Sequence, residues 1–185
     1  MPEQALRGGT ALIDPLTVLT HLDIRDGYIV ADLGCGGGGH FVGPLAKMVG
    51  AKGKVYAVDI QKKVLQVVEG KMKQQNISNV VTVWSDLERG DSTDVPEGSC
   101  NVVLLINVLF QNTNHESIVQ GAVRMIQSGG RLVVIDWKPT GSPFGPPSDT
   151  RVSPHKITEI AKPLAISLIE EFDAGPYHYA LVFKK

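Results

Sequence analysis

Five short apolar runs alternate with stretches whose apolar residues recur at helical spacing. No other feature constrains the fold of this chain as much. The runs are residues 28–33, 55–59, 80–84, 101–108 and 131–137. Each is rich in Val, Ile and Leu and almost unbroken, the pattern of strands buried on both faces of a parallel sheet. Between them, residues 62–75 put Val64, Leu65, Val68 and Met72 on one helical face. Residues 114–127 do the same with Ile118, Val119, Ala122 and Ile126, and open with Thr113-x-x-Glu116, a capping-box pattern. Ser153-Pro154 supplies an N-cap and a first-turn proline for a further helix bounded by Pro163. Asp14-Pro15 opens a short helix carrying Leu16, Leu19 and Leu22.

The chain end breaks the alternation. Residues 165–172 and 177–183 are strand-like, and only Asp173-Ala174-Gly175-Pro176 joins them. So short a link suits an antiparallel hairpin and excludes a parallel crossover. The expected fold is α/β, a doubly wound, Rossmann-like sheet. It is mostly parallel, with seven strands and an antiparallel C-terminal hairpin strand. A length of 185 residues fits a single domain, 1–185, and residues 86–99 and 138–152 read as loops.

Composition excludes several functions. Lys+Arg is 18 and Asp+Glu is 19, a net charge of −1, so no basic field draws nucleic acid. Seven lysines between residues 47 and 73 read as solvated helix and turn positions. No apolar run is long enough for a membrane span, and MPEQALRGGT has no leader pattern, so the expected compartment is cytoplasmic. Two cysteines, Cys35 and Cys100, make neither a disulfide framework nor a metal site. Nothing in the sequence sets an oligomeric state.

The first run ends in Asp32-Leu33-Gly34-Cys35-Gly36-Gly37-Gly38-Gly39. A ligand at such a strand–helix turn meets bare backbone and free N–H groups. Gly34-x-Gly36-x-x-Gly39 with Asp59 beyond it fits the dinucleotide fingerprint. Gly34-x-Gly36-x-Gly38 equally fits the looser pattern of S-adenosylmethionine (SAM) enzymes, so the glycines alone leave both open. The acids discriminate. Asp32 is awkward beside a pyrophosphate and suits an amino group and a sulfonium. Asp59 ends the second run and can accept from two ribose hydroxyls. Asp86 follows the third run and can accept from an adenine amine. Three carboxylates at three successive strand ends describe a ligand with an amine, a diol and an exocyclic amine.

VADLGCGGGG, VYAVDI, SDL, the fourth run and GGRLVVIDW, in this order, resemble the motifs of class I SAM-dependent methyltransferases. The nearest resemblance is to the small members of the ubiquinone/menaquinone-biosynthesis type, over roughly residues 12–185. The resemblance implies a seven-stranded sheet whose last strand is antiparallel. It implies SAM as cofactor, S-adenosylhomocysteine (SAH) as product, and in-line methyl transfer to a small-molecule acceptor. Residues 1–26 would form a helical segment packing near the cofactor site. Gly34, Gly36 and Gly38 would line the methionyl part, with Asp32 orienting its amino group. Asp59 would hold the ribose, Ile60 would cover the adenine, and Asp86 and Leu87 would bind its edge. Asn107 would present its carbonyl or side chain near the amino group and methyl. Two departures concern the acceptor. Leu109-Phe110-Gln111-Asn112 stands where members often carry a histidine or an acid, and the chain has no room for an inserted substrate lid. A SAM binder without catalysis and an NAD(P)-dependent oxidoreductase are the alternatives.

The remaining candidates are weaker. Asn107 and Asp136 are the possible catalytic groups, although a structural hydrogen-bonding role suits Asp136 better. Phe110, Trp137 and Phe144 could wall an acceptor site, and Arg151 could pair with an anionic acceptor. Cys35 reads as a small filler. His40 could reach the ligand's carboxylate. His21, His115 and His155 occupy surface-like helix positions. His178 lies at the start of the last strand, a point that can fall near the substrate end of the parallel strands or on the far side.

Overall fold

In the computed structural model, which describes residues 12–90, 93–141 and 143–185, seven strands form one sheet. They are β1 (Ile29–Leu33), β2 (Lys54–Asp59), β3 (Val80–Trp84), β4 (Cys100–Ile106), β5 (Ile126–Trp137), β6 (Ser167–Asp173) and β7 (His178–Lys184). Their order is β3-β2-β1-β4-β5-β7-β6. Strands β1 to β5 are mutually parallel, and β7 runs antiparallel to both neighbours. This is the expected doubly wound sheet with its antiparallel C-terminal hairpin.

Alternation along each strand divides the interior into two cores. Ala31, Leu33, Val103, Leu105, Leu132 and Val134 face one side, beneath α4 (His115–Met125) and α5 (Pro154–Ala161). Val30, Val102, Leu104, Ile106, Val133 and Ile135 face the other, beneath α1 (Pro15–His21), α2 (Val42–Val49) and α3 (Lys62–Gln74). The central strands are buried on both sides, as their unbroken apolar runs require. The edge strands depart from that pattern: β3 exposes Val81 and Trp84, and β6 is exposed along nearly its whole length.

Local details also depart from the sequence reading. In α1, Asp14 caps as expected, but Val18 and Leu19 face inward while Leu16 is 59% exposed. Strand β5 begins at Ile126 rather than Arg131, because Ile126 pairs with Cys100 across an irregularity before the regular register starts at Val102 and Arg131. The capping box at Thr113 does not form. Asn114 is the N-cap of α4, its Oδ1 accepting from Ser117 N. Glu88, on the 3-10 turn Leu87–Arg89, takes the role expected of Glu116. Its Oε1 accepts from Thr113 N (2.8 Å), Thr113 Oγ1 (3.1 Å) and Asn114 N (2.9 Å). These three bonds hold the Glu88 carboxyl below the usual range. A long-range carboxylate thus ties the turn after β3 to the start of α4. Glu88→Ala is expected to lower the urea midpoint, and Glu116→Ala to leave it in place. The reverse order would restore the local capping box.

Candidate functional site

The strand order reverses between β1 and β4, and in such sheets the crevice at the carboxyl ends of these two strands receives ligands. Gly34 and Asn107 lie on its two sides. Gly34 (φ +73°) is glycine for packing as well as conformation, since a Cβ there would stand 2.7 Å from Val108 Cγ2. Gly36 (φ +66°) differs: a Cβ would meet nothing within 4 Å, so this backbone faces open space. Gly36 N donates to Asp59 Oδ2 (3.1 Å), and Gln61 N donates to Asp59 Oδ1 (2.9 Å). Each oxygen keeps a further lone pair, and the carboxylate is fixed in orientation at the end of β2. Lys71, on α3, grips the loop from the other side, Nζ donating to Gly38 O (2.9 Å).

Asp32 lies behind this loop and is buried. Burial, and second the nearby Asp59 charge, push it up to about 7. Asn107 closes the other side. It is buried in the left-handed region (φ +55°), a conformation that asparagine tolerates better than most residues. Its N–H donates to Ile135 O (2.8 Å), and its carbonyl accepts from Gln111 Nε2 (2.7 Å). Its side-chain oxygen and nitrogen are both buried without a partner. The carbonyl named in the sequence reading is thus already engaged, and the side chain is the unsatisfied part.

Around the β2–β3 end, Ile60 is 54% exposed, an apolar flank beside Asp59. Trp84, which the sequence reading did not single out, lies at the same end and is 49% exposed. Its indole Nε1 donates to Ile60 O (2.7 Å), and Lys62 Nζ lies 5.7 Å from its ring centroid. An exposed tryptophan one residue before Ser85-Asp86 was the available signal. Ser85 N donates to Asp59 O (3.2 Å), which brings Asp86 and Leu87 to the same edge. The Asp86 carboxylate caps the Leu87–Arg89 turn through Glu88 N (3.1 Å), and Leu87 packs on the core.

The acceptor candidates fall out differently. Arg151 does not present its guanidinium to a ligand. Its N–H groups donate to Lys138 O, Pro146 O and Phe144 O, and it lies 5.8 Å from the Trp137 ring centroid. These contacts anchor a strap, residues 143–152, in place of the expected ion pair. Trp137 is not an open wall but is buried under that strap. Phe144 is exposed on the strap, edge-on to Tyr177, and half-buried Phe110 donates its N–H to Asp136. Asp136 has no exposed surface, and its oxygens accept from Leu109 N, Phe110 N and Trp137 N, the holding role. Burial raises it to about 6, against the lowering effect of these bonds.

His40 turns its Nε2 to Ile13 O (3.2 Å) and so joins the segment before α1 to the glycine loop. His115 is not at the surface; it is buried, with Nε2 on Leu109 O and Asn112 O. The Cys35 thiol is buried and pushed up, first by burial and then by Asp32 and Asp59, as befits a filler. Among the described residues no group of His, Cys, Asp and Glu could hold a metal, and no helix is long and apolar enough to cross a membrane.

Comparison with known proteins places the chain in a family. The family described as a methyltransferase domain matches residues 24–165. The chain belongs to that methyltransferase-domain family. This methyltransferase domain is 28% identical over 157 residues to the ubiquinone/menaquinone biosynthesis C-methyltransferase UbiE of Cronobacter sakazakii. The match covers 84% of this chain and 59% of that relative, so the chain spans under two thirds of its length. A SAM-dependent methyltransferase from Aquifex aeolicus has the same fold, with a TM-score of 0.86 at 24% identity, covering 98% of this chain and 95% of that one. The [4+2]-cyclase SpnF also shares it, with a TM-score of 0.75 at 13% identity over 93% and 80% of the two chains. A fold alone therefore does not fix the reaction.

The elevated Asp32 carboxyl has a sign-definite consequence. The native state holds a proton on Asp32 between about pH 4 and 7 that the unfolded chain has lost. Stability from this group is therefore lost as pH rises through that window. In urea unfolding, Asp32→Asn is expected to gain on the wild type from pH 4.5 to pH 8. A constant difference between the two would show that Asp32 ionises normally.

Proposed function

We propose that this domain binds SAM and transfers its methyl group to a small-molecule acceptor. The observation that carries the reading is the pairing, on the two sides of the crevice, of a buried carboxyl pushed up by desolvation, Asp32, with a buried side chain that has no partner, Asn107. Such a pair is matched by a ligand end bearing an amino group and a positive charge. A pyrophosphate would meet two acids, Asp32 and Asp59, where it needs donors, which argues against a nicotinamide cofactor. The open backbone at Gly36 and the neighbouring Gly38 would line the methionyl chain. Asp59 would accept from the ribose hydroxyls, and Ile60 with Trp84 would flank the adenine. Asp86 and Leu87 would meet its edge. The whole chain would act as one unit, with Ile13 and His40 closing the segment before α1 on the loop. Of that segment, residues 1–11 lie outside the described residues.

When bound, SAM supplies an electrophilic methyl on a sulfonium whose leaving group is a neutral thioether. The chain therefore has no departing anion to stabilise, and its work is orientation and the exclusion of water. Asp32 would hold the amino group, fixing the methyl axis toward the carboxyl ends of β4 and β5. Asp136, enclosed by three backbone N–H groups, positions the turn Leu109–Gln111 and so the floor of the acceptor space.

Asp59→Ala is expected to weaken SAM and SAH binding by about 1.5–3 kcal/mol, the size of hydrogen bonds to a charged group, or roughly 10- to 150-fold. Calorimetric titration with SAM, SAH and NADH side by side measures this. Unchanged SAM affinity in the variant would remove the ribose assignment. NADH heat with silent SAM would overturn the cofactor.

A further inference from the structure

We propose that His178 and Trp137, facing each other across β7 and β5, recognise a hydroxyl group of the methyl acceptor and commit this domain to a neutral, hydroxyl-bearing small molecule. The proposal rests on the methyl-transfer reading above. Its starting point is how buried polar groups are satisfied. Among the described residues, His115 and Arg124 each leave one side-chain nitrogen unpartnered while bonding through another. Asn107, Trp137 and His178 leave every side-chain polar atom unpartnered. All three stand at the carboxyl edge of the parallel strands. The fold does satisfy the polar group next door, since Tyr179 Oη donates to Val152 O (2.8 Å). Buried polar atoms without partners are costly and call for an explanation.

The register decides which edge of the parallel strands His178 reaches. It pairs with Trp137, so the first residue of β7 lies at the ligand-binding edge. The two rings are 4.2 Å apart between centroids and tilted by 43°. Asn107 N is bonded to Ile135 O, one strand away, which places His178 two strands from Asn107. Two inter-strand spacings amount to about 10 Å, the span of a small molecule. A cleft of about 350 Å³ opens between the β6–β7 turn and α1, lined in part by Phe172, Ala174 and Pro176. The strap of residues 143–152 lies over the pair. A Cβ on Gly145 would stand 2.6 Å from the Trp137 ring, and the Arg151 contacts pin the strap there. Entry requires this strap to lift.

The donor set selects the ligand. Burial first, then the charges of Lys138 and Arg151, lower His178 to about 4, so its imidazole is neutral, with one N–H and one lone pair. The charged and titratable groups around it are otherwise engaged. Lys138 is paired with Asp173 (2.9 Å), Arg151 with strap carbonyls, and Asp136 with backbone N–H groups. The Trp137 indole adds a donor. A hydroxyl gives its proton to the imidazole lone pair and accepts from the indole N–H. A carboxylate has no proton for that lone pair, and any anion would enter an enclosed site whose cations are committed. Phe144 and Tyr177, edge to face at 5.5 Å, offer an apolar rim for the rest of the molecule.

The test is an NMR titration of SAH-saturated protein, following the two indole N–H signals, assigned with Trp137→Phe. Phenol, anisole and benzoate serve as probes. Phenol is expected to shift the Trp137 signal and spare that of Trp84, with anisole and benzoate silent. His178→Phe and His178→Leu are expected to bind SAH within twofold of wild type and to lose the phenol response. No phenol response in the wild type, a benzoate response in its place, or an undiminished phenol response in both variants that bind SAH overturns the proposal. SAH calorimetry on the same samples separates the two levels: absent SAH heat overturns the methyl-transfer reading itself, and the acceptor assignment with it.

Discussion

The hydrogen bond from Gly36 N to Asp59 sets the geometry on which the rest of the site depends. It fastens the loop leaving β1 to the end of β2, so two strands determine one loop conformation. With the loop held there, Gly34 lies against Val108, Asp32 is enclosed behind it, and Asn107 is held facing the same crevice. The loop that is open to a ligand at Gly36 thus leaves Asp32 only 3% exposed. That burial raises the Asp32 carboxyl, and it would strengthen any interaction with a cationic group placed beside it.

What was legible in the sequence follows from how local each signal is. The unbroken apolar runs gave the central parallel strands, because a strand buried on both faces has no polar alternation. The four-residue link at Asp173 to Pro176 gave the antiparallel hairpin, because no crossover fits in it. The glycines and three strand-end acids gave one edge of the sheet, where the structure brings them together, since each is fixed by its place after a strand. The misreadings involve long-range partners. Thr113 and Glu116 satisfied a capping template, but Glu88, from a distant turn, occupies the N–H groups. Arg151 looked available because nothing local paired with it; the carbonyls it binds belong to a strap whose path the sequence does not reveal. His178 was ambiguous because only the register with β5 says which edge it reaches.

The distribution of satisfied and unsatisfied groups separates scaffold from site more sharply than residue type does. Asp136 is as buried as any residue here and carries a carboxyl, yet three backbone N–H groups surround it, and its role is to hold the turn after β4. Ser85 and Thr93 bond to each other, and Tyr179 bonds to Val152, so polar atoms inside the two cores and beneath the sheet edge find partners. Asn107, Trp137 and His178 do not, although each is as enclosed as its neighbours. A chain selected for stability alone would replace such groups with apolar side chains of similar size, since the exchange removes a desolvation cost and loses no bond. Their presence along a single edge, from the cofactor crevice at β4 to the hairpin strand β7, is the arrangement expected if that edge receives two ligands. A charged end would face Asp32 and Asn107, and a neutral hydroxyl would face Trp137 and His178.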